Sequence, residues 1–258
     1  MVLWGGALIE TKIANRPVSD DLLEMNLSSF DGEINHDFFK LQGSRLKGLA
    51  GSEYLLFMEN SFAKLIDSLK HMSYLLLIGE DLALNAAKLT QLWDKENGGY
   101  RLSFSATDDV DMGSTITMLM SKISEITNKI YLEKLDKAFF KVKYEKGSVL
   151  GFESWRSKSS KDLIKANLAS IQSMFDYGLY DYLKYLDADE LADKISTQFI
   201  KIDKSLNTIP RSFEQDSKQY LDKYPIIVNE VRQLLILLKA ETANKLGVTI
   251  SYAGNDGD

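Results

Sequence analysis

The sequence predicts an all-α protein of two packed four-helix-bundle-like domains, the first expected to be incomplete at its N-terminus. Three observations carry this expectation. Apolar residues recur at spacings of three and four over long stretches, the signature of amphipathic helices. Only 3 of 258 residues are proline, so little interrupts a long helix. Alternating strand patterns are scarce: residues 100–105 and 248–252 alternate apolar and polar, but each is short and reads as an extended loop.

Short helices are expected around residues 3–13 and 46–58. A long one is expected over 60–95, with Leu65, Leu69, Met72, Leu76, Gly79, Ala83 and Ala86 on one stripe. Gly79 costs up to ~1 kcal/mol against Ala there, which points to close packing. Ile116, Leu119, Ile123, Ile126 and Ile130 form a second stripe, with Ser114 as its N-cap. A helix over 159–175 begins with Ser159 and Asp162 in capping-box spacing. Leu191, Ile195, Phe199, Ile202, Leu206 and Ile209 follow, stopped by Pro210. The last stripe is Ile227, Val231, Leu234, Leu238 and Leu246, with Pro225 in its first turn and Gly247 at its end. The loop over 96–111 is the natural boundary, giving domains 1–106 and 107–258.

Composition excludes several chemistries. Cysteine is absent, which removes disulfides, thiolate zinc sites, iron–sulfur clusters and cysteine nucleophiles. The net charge of −6 argues against nucleic acid as a partner, since phosphate contacts need concentrated Lys and Arg. No apolar run reaches the roughly 18 residues of a transmembrane segment. Residues 1–6 lack the features of a signal peptide, so the chain is either cytosolic or shorn of an export segment.

Neither of the 2 histidines, His36 and His71, belongs to an HExxH or HxxE pattern, so a zinc hydrolase has no motif support. Glu33-Ile34-Asn35-His36 is one Glu-x-x-His, but a di-iron bundle needs two, and Ser68 stands where His71 would require a glutamate. No G-x-S-x-G elbow or phosphate loop occurs. The pairs Phe38-Phe39 and Phe139-Phe140 read as core or interface. The ending Gly254-Asn255-Asp256-Gly257-Asp258 lacks the bidentate glutamate of a calcium loop and reads as a solvated tail.

Two segments carry more. Lys47-Gly48-Leu49-Ala50-Gly51-Ser52-Glu53-Tyr54-Leu55-Leu56-Phe57 sets Glu53 among small and apolar residues, where it is either paired and functional or the polar side of a helix. Glu153-Ser154-Trp155-Arg156-Ser157-Lys158-Ser159-Ser160 brings an acid, an arginine and four hydroxyls ahead of a helix; its plainest role is capping.

With these two segments, the chain resembles the imelysin-like family, catalogued among metallopeptidases and associated with bacterial iron uptake. KGLAGSEYLLF resembles the family's GxHxxE segment, YLLLIGEDLALNAAKLTQLW and GGYRLSF its continuation, ESWRSKSSKDLIKANL its E-S-x-x-S region, and LGVTISYAGNDGD its C-terminus. The resemblance implies two similar helical bundles with a site at their interface, and a location in the periplasm or cell envelope. It also implies that this chain is an N-terminally truncated copy or a shortened variant. Gly48 and Glu53 match the ends of GxHxxE, and Ala50 stands in the histidine position. The resemblance therefore offers Glu53 and Glu153 as metal ligands, and Lys47, Gly48, Ser154, Arg156 and Ser157 as further ligand-binding residues. Iron is the expected cofactor or cargo, and components of an iron-uptake system are the expected partners. The preferred expectation is a binding protein without catalytic residues; the alternatives are a metal-dependent peptidase and a metal-free interaction module.

Overall fold

Ser114 opens the first long helix of the C-terminal half by accepting the Thr117 backbone N–H at 3.2 Å. Such caps, with the apolar stripes behind them, set the pattern of a computed structural model that describes residues 3–4, 7–94, 96, 99–105 and 114–251. The chain is all-α, as the sequence predicts, apart from a two-residue antiparallel pairing of β1 (Leu3–Trp4) with β2 (Ala7–Leu8). That pairing takes residues 3–4 and 7–8 of the helix expected over 3–13, and the helix α1 (Ile9–Ala14) covers the rest from residue 9. Two compact units result, residues 1–103 and 104–258.

The N-terminal unit contains α1, α2 (Asp20–Ser29), α3 (His36–Lys40), a 3-10 turn at Ser44–Leu46, α4 (Gly48–Phe57), α5 (Ser61–Asp67) and α6 (Leu69–Trp93). Among its described residues α6 is the one long helix, and α1, α3, α4 and α5 each touch it. The continuous helix expected over 60–95 is broken at Ser68, whose extended backbone ends α5 and whose hydroxyl caps α6. The expected stripe is also rotated. Leu69 and Leu76 are 79% and 61% exposed, while Tyr74, Leu77 and Ile78 are buried. Tyr74 wins a core position because its hydroxyl donates to the Leu46 carbonyl at 3.1 Å, leaving its ring against Phe38 and Phe39. Gly79 has nothing within 4 Å of where a Cβ would sit, so close packing does not explain it. Residues 100–105 are not an extended loop but a helix, α7 (Tyr100–Ser105), with Tyr100 edge-on to Trp93.

The C-terminal unit is built on four rods. α8 (Thr115–Lys129) runs through a π-helical stretch, Ile130–Asp136, into α9 (Lys137–Tyr144). α10 (Ser160–Met174) runs through Phe175–Leu179 into α11 (Tyr180–Tyr185) in the same way. α12 (Asp189–Leu206) is α-helical throughout. After the short α13 (Phe213–Asp216), α14 (Tyr224–Ile236) passes through a third π-helical stretch, Leu237–Thr242, into α15 (Ala243–Leu246), closed by Gly247 in the left-handed conformation. α8 touches α10, α10 touches α12, α12 touches α14 and α14 touches α8, which closes a four-helix ring. Ile123, Ile130, Ile195, Phe199, Ile202, Leu206, Ile209, Ile227, Val231, Leu234, Leu238 and Leu246 are buried in its core, as their spacing predicts. Of the pair Phe139-Phe140, the first is buried and the second is 59% exposed. The capping box expected at Ser159 does not form: its side chain makes no cap bond to α10. The loop residues 106–111 and the tail from 252 onward lie outside the described residues.

Candidate functional site

α4 begins where the chain must pass the end of α1 at backbone contact. Gly48 has φ +65°, and a Cβ there would stand 2.3 Å from the Ile13 carbonyl oxygen. Both facts demand glycine, the first by the left-handed backbone and the second by the lack of room. Gly51 is similarly crowded, since a Cβ there would stand 2.7 Å from the Leu46 carbonyl oxygen, and Ala50 between them is buried. Glu53 then leaves the helix toward the segment between α1 and α2, where Arg16 Nη1 donates to its carboxylate at 2.8 Å. The two side chains are 19% and 10% exposed for Arg16 and Glu53, so this is a largely dry ion pair. Lys47 lies with its ammonium 4.6 Å above the Phe39 ring and 3.4 Å from the Lys40 carbonyl. Burial pulls that ammonium below the usual lysine range, against the opposing pull of Asp81.

In the other unit, Glu153 accepts from Lys134 Nζ at 2.6 Å. The serines beside it fold the turn that leads into α10. The Ser154 backbone N–H donates to Ser160 Oγ, the Ser157 hydroxyl donates to the Ser154 carbonyl, and the Ser157 and Ser159 hydroxyls share a hydrogen bond. Arg156 lies over the Trp155 ring at 4.3 Å. Lys47, Gly48 and Glu53 thus lie in the first unit and Glu153, Ser154, Arg156 and Ser157 in the second, with Lys47 turned to Phe39 and Glu53 to Arg16. Each carboxylate has a cation of its own.

A third constellation was not anticipated. Glu24 on α2 accepts from the Tyr54 hydroxyl of α4 at 2.7 Å and from Lys64 Nζ of α5 at 3.3 Å. His71 Nε2 on α6 stands 3.3 Å from both oxygens of the same carboxylate, and its Nδ1 is 2.7 Å from Ser68 Oγ. Four helices meet at one carboxylate, from positions 30 and 47 residues away in the case of Tyr54 and His71. The only local signal was Ser68 three residues before His71. Burial raises the Glu24 carboxyl, but the hydrogen bonds from Tyr54, His71 and Lys64 outweigh it and hold it below the ordinary value of 4.5.

A carboxyl depressed by folding contributes stability above its unfolded value, and that contribution disappears as pH falls through the folded value. The N-terminal unit is therefore expected to lose stability below about pH 4.5, and Glu24→Gln should flatten that part of the curve. Thermal melts of both proteins between neutral and acid pH measure this. Parallel curves would show that Glu24 does not contribute.

Glu33 and His36 do not share a helical turn, because Asn35 caps α3 and Glu33 precedes it; His36 reaches Glu80 at 3.5 Å on the exposed surface. An open groove of about 650 Å³ beside α12 and α14 is lined by acids and lysines, including Glu190, Lys201 and Glu230, and contains none of the residues above. Among the described residues no three His, Cys, Asp or Glu side chains cluster as metal ligands, and no helix is long and apolar enough to cross a membrane. Ala50 offers no donor and Glu53 is held by Arg16, so the 47–57 segment does not fit a resident catalytic metal.

Comparison with known proteins agrees with this architecture. Superposition on a Parabacteroides distasonis ATCC 8503 protein, which carries the name iron-regulated protein A precursor, gives a TM-score of 0.73 at 16% identity, covering 92% of this chain and 75% of that one. An imelysin-like protein from Psychrobacter arcticum 273-4 gives 0.67 at 15% identity, covering 90% of this chain and 67% of that one. No curated protein matches the sequence significantly. The family model for imelysin, Peptidase M75, matches residues 5–234, and the chain therefore belongs to the imelysin family.

Proposed function

We propose that this chain is a binding protein of iron uptake, working in the cell envelope with other components of an uptake system, and that it cuts no peptide. One observation carries the second half. At the segment matching GxHxxE the histidine position is the buried Ala50, and the surviving Glu53 is neutralised by Arg16 at 2.8 Å. A metallopeptidase needs several protein ligands on its metal and a base beside it. Family membership and the name borne by the Parabacteroides distasonis protein support the iron half.

In this reading Glu53 of the first unit and Glu153 of the second are each a carboxylate for ferric iron or its complex, held by Arg16 and Lys134 respectively until the ligand displaces that cation. Ferric iron is a hard acid and suits such oxygens. The test is titration of ferric nitrilotriacetate into wild type, Glu53→Ala and Glu153→Ala by calorimetry. Loss of a ligand should weaken binding by about tenfold or more, equivalent to ~1.4 kcal/mol. Unchanged affinity in both variants would remove these residues from the site, and chelator-sensitive proteolysis by the purified chain would overturn the non-enzymatic reading.

A further inference from the structure

The Glu24 constellation has no part in the site just proposed, yet its donors are unlike those of an ordinary surface ion pair. A phenol, a carboxylate and an imidazole converge from α4, α2 and α6. We propose that Tyr54, Glu24 and His71 form a ferric-iron site, with Ser68 as the residue that orients the imidazole. The proposal rests on the reading of the chain as an iron binder, and it names a donor set separate from Glu53 and Glu153.

The spacing supports it. Metal–oxygen and metal–nitrogen bonds of about 2.0–2.2 Å at right angles put neighbouring donors about 2.8–3.1 Å apart. The Tyr54 hydroxyl is 2.7 Å from Glu24 Oε1, and His71 Nε2 is 3.3 Å from each Glu24 oxygen, which brackets that range. Because a carboxylate only accepts, protons on Tyr54 and on His71 Nε2 bridge these contacts in the ion-free protein. With a ferric ion held here, the phenol proton would pass to solvent and the imidazole proton would leave Nε2 for Nδ1, so that phenolate, carboxylate and neutral imidazole would be the donors. With Nδ1–H donated to Ser68 Oγ, 2.7 Å away, the imidazole presents the Nε2 lone pair to the metal. Tyr54 is buried, but Glu24 and Lys64 are 32% and 41% exposed, so an ion has a path in and Lys64 has a path out. Phenolate and carboxylate select a hard ion, and imidazole is compatible with iron.

Ferric iron bound by phenolate absorbs visible light through ligand-to-metal charge transfer, whereas carboxylate ligation alone gives no such band. Wild type, Tyr54→Phe, His71→Gln and the exposed-surface variant His36→Gln are titrated with ferric nitrilotriacetate and followed by absorbance, with circular dichroism confirming that each is folded. The band is expected in wild type and His36→Gln, absent in Tyr54→Phe, and at least about tenfold weaker in affinity in His71→Gln. Ferric binding by wild type without the band, or a band that survives in Tyr54→Phe, overturns this site and leaves the Glu53 reading standing. A band retained in His36→Gln at wild-type affinity but lost in Tyr54→Phe supports this site, and a band lost equally in both overturns it.

Discussion

Gly48→Ala is expected to destabilise the N-terminal unit by about 3 kcal/mol, the sum of a left-handed backbone and an overpacked contact. The new methyl would meet the Ile13 carbonyl at 2.3 Å and the Lys12 carbonyl at 2.9 Å, both rigid main-chain atoms. Neither can yield without moving α1 away from α4, and α1 also packs on α6. Hydrogen exchange is the suitable readout because it resolves one unit from the other. Amides over α4 and the buried part of α6 should lose protection, while those of α12 should not. Gly79→Ala is the contrasting variant: the space is open and the site is inside a helix, so it should be neutral or stabilising by up to ~1 kcal/mol. Equal protection in the wild type and Gly48→Ala would show that α1 is not held against α4 as described.

The second large effect is expected in the other unit. Phe213 is completely buried, with its ring centroid 5.3 Å from Phe139 and 5.5 Å from Phe152, while Phe139 is stacked on Tyr224 at 3.6 Å. Truncation to alanine removes a side chain at the centre of four rings, and the rings cannot collapse onto the gap without losing their mutual geometry. Phe213→Ala should therefore cost about 3–5 kcal/mol, and Phe213→Leu less. Urea denaturation with exchange protection over α12 and α14 measures it. A loss below about 1 kcal/mol would mean that this cluster is not a keystone of the bundle.

These two sites also show what the sequence made legible. In the C-terminal unit, helix period and core position agree. Ile195, Phe199, Ile202 and Leu206 are separated by turns of one continuous helix, and each is buried. Ser114 caps where a serine before an apolar stripe should. In the N-terminal unit the helices are short, and tertiary contacts decide what period cannot. Leu76 is as apolar as Leu77, but only the second lies beside the Tyr74 that anchors to the Leu46 carbonyl. Ser68 falls inside the helix expected over 60–95 because serine spacing alone does not distinguish a cap from a solvated helix face. The candidate residues divide in the same way. Gly48 and Glu53 were found from their motif, whereas Arg16 as the partner of Glu53 requires knowing that α1 crosses α4. Glu24, Tyr54 and His71 are invisible as a group, since no short motif links three different helices.

The π-helical stretches explain how the C-terminal rods tolerate strictly four-residue steps. Phe175, Leu179 and Leu183 are all buried, as are Leu234, Leu238 and Thr242. A step of four on an ordinary helix overshoots a turn by about 40°, so two or three steps would carry the stripe off the core. A wider turn with i→i+5 bonding takes up that overshoot. Each of these rods therefore has a built-in phase corrector, located where one residue more or less resets the angular count. α12 has none, and it keeps its stripe on the core by alternating steps of four, three and four through Ile195, Phe199, Ile202 and Leu206.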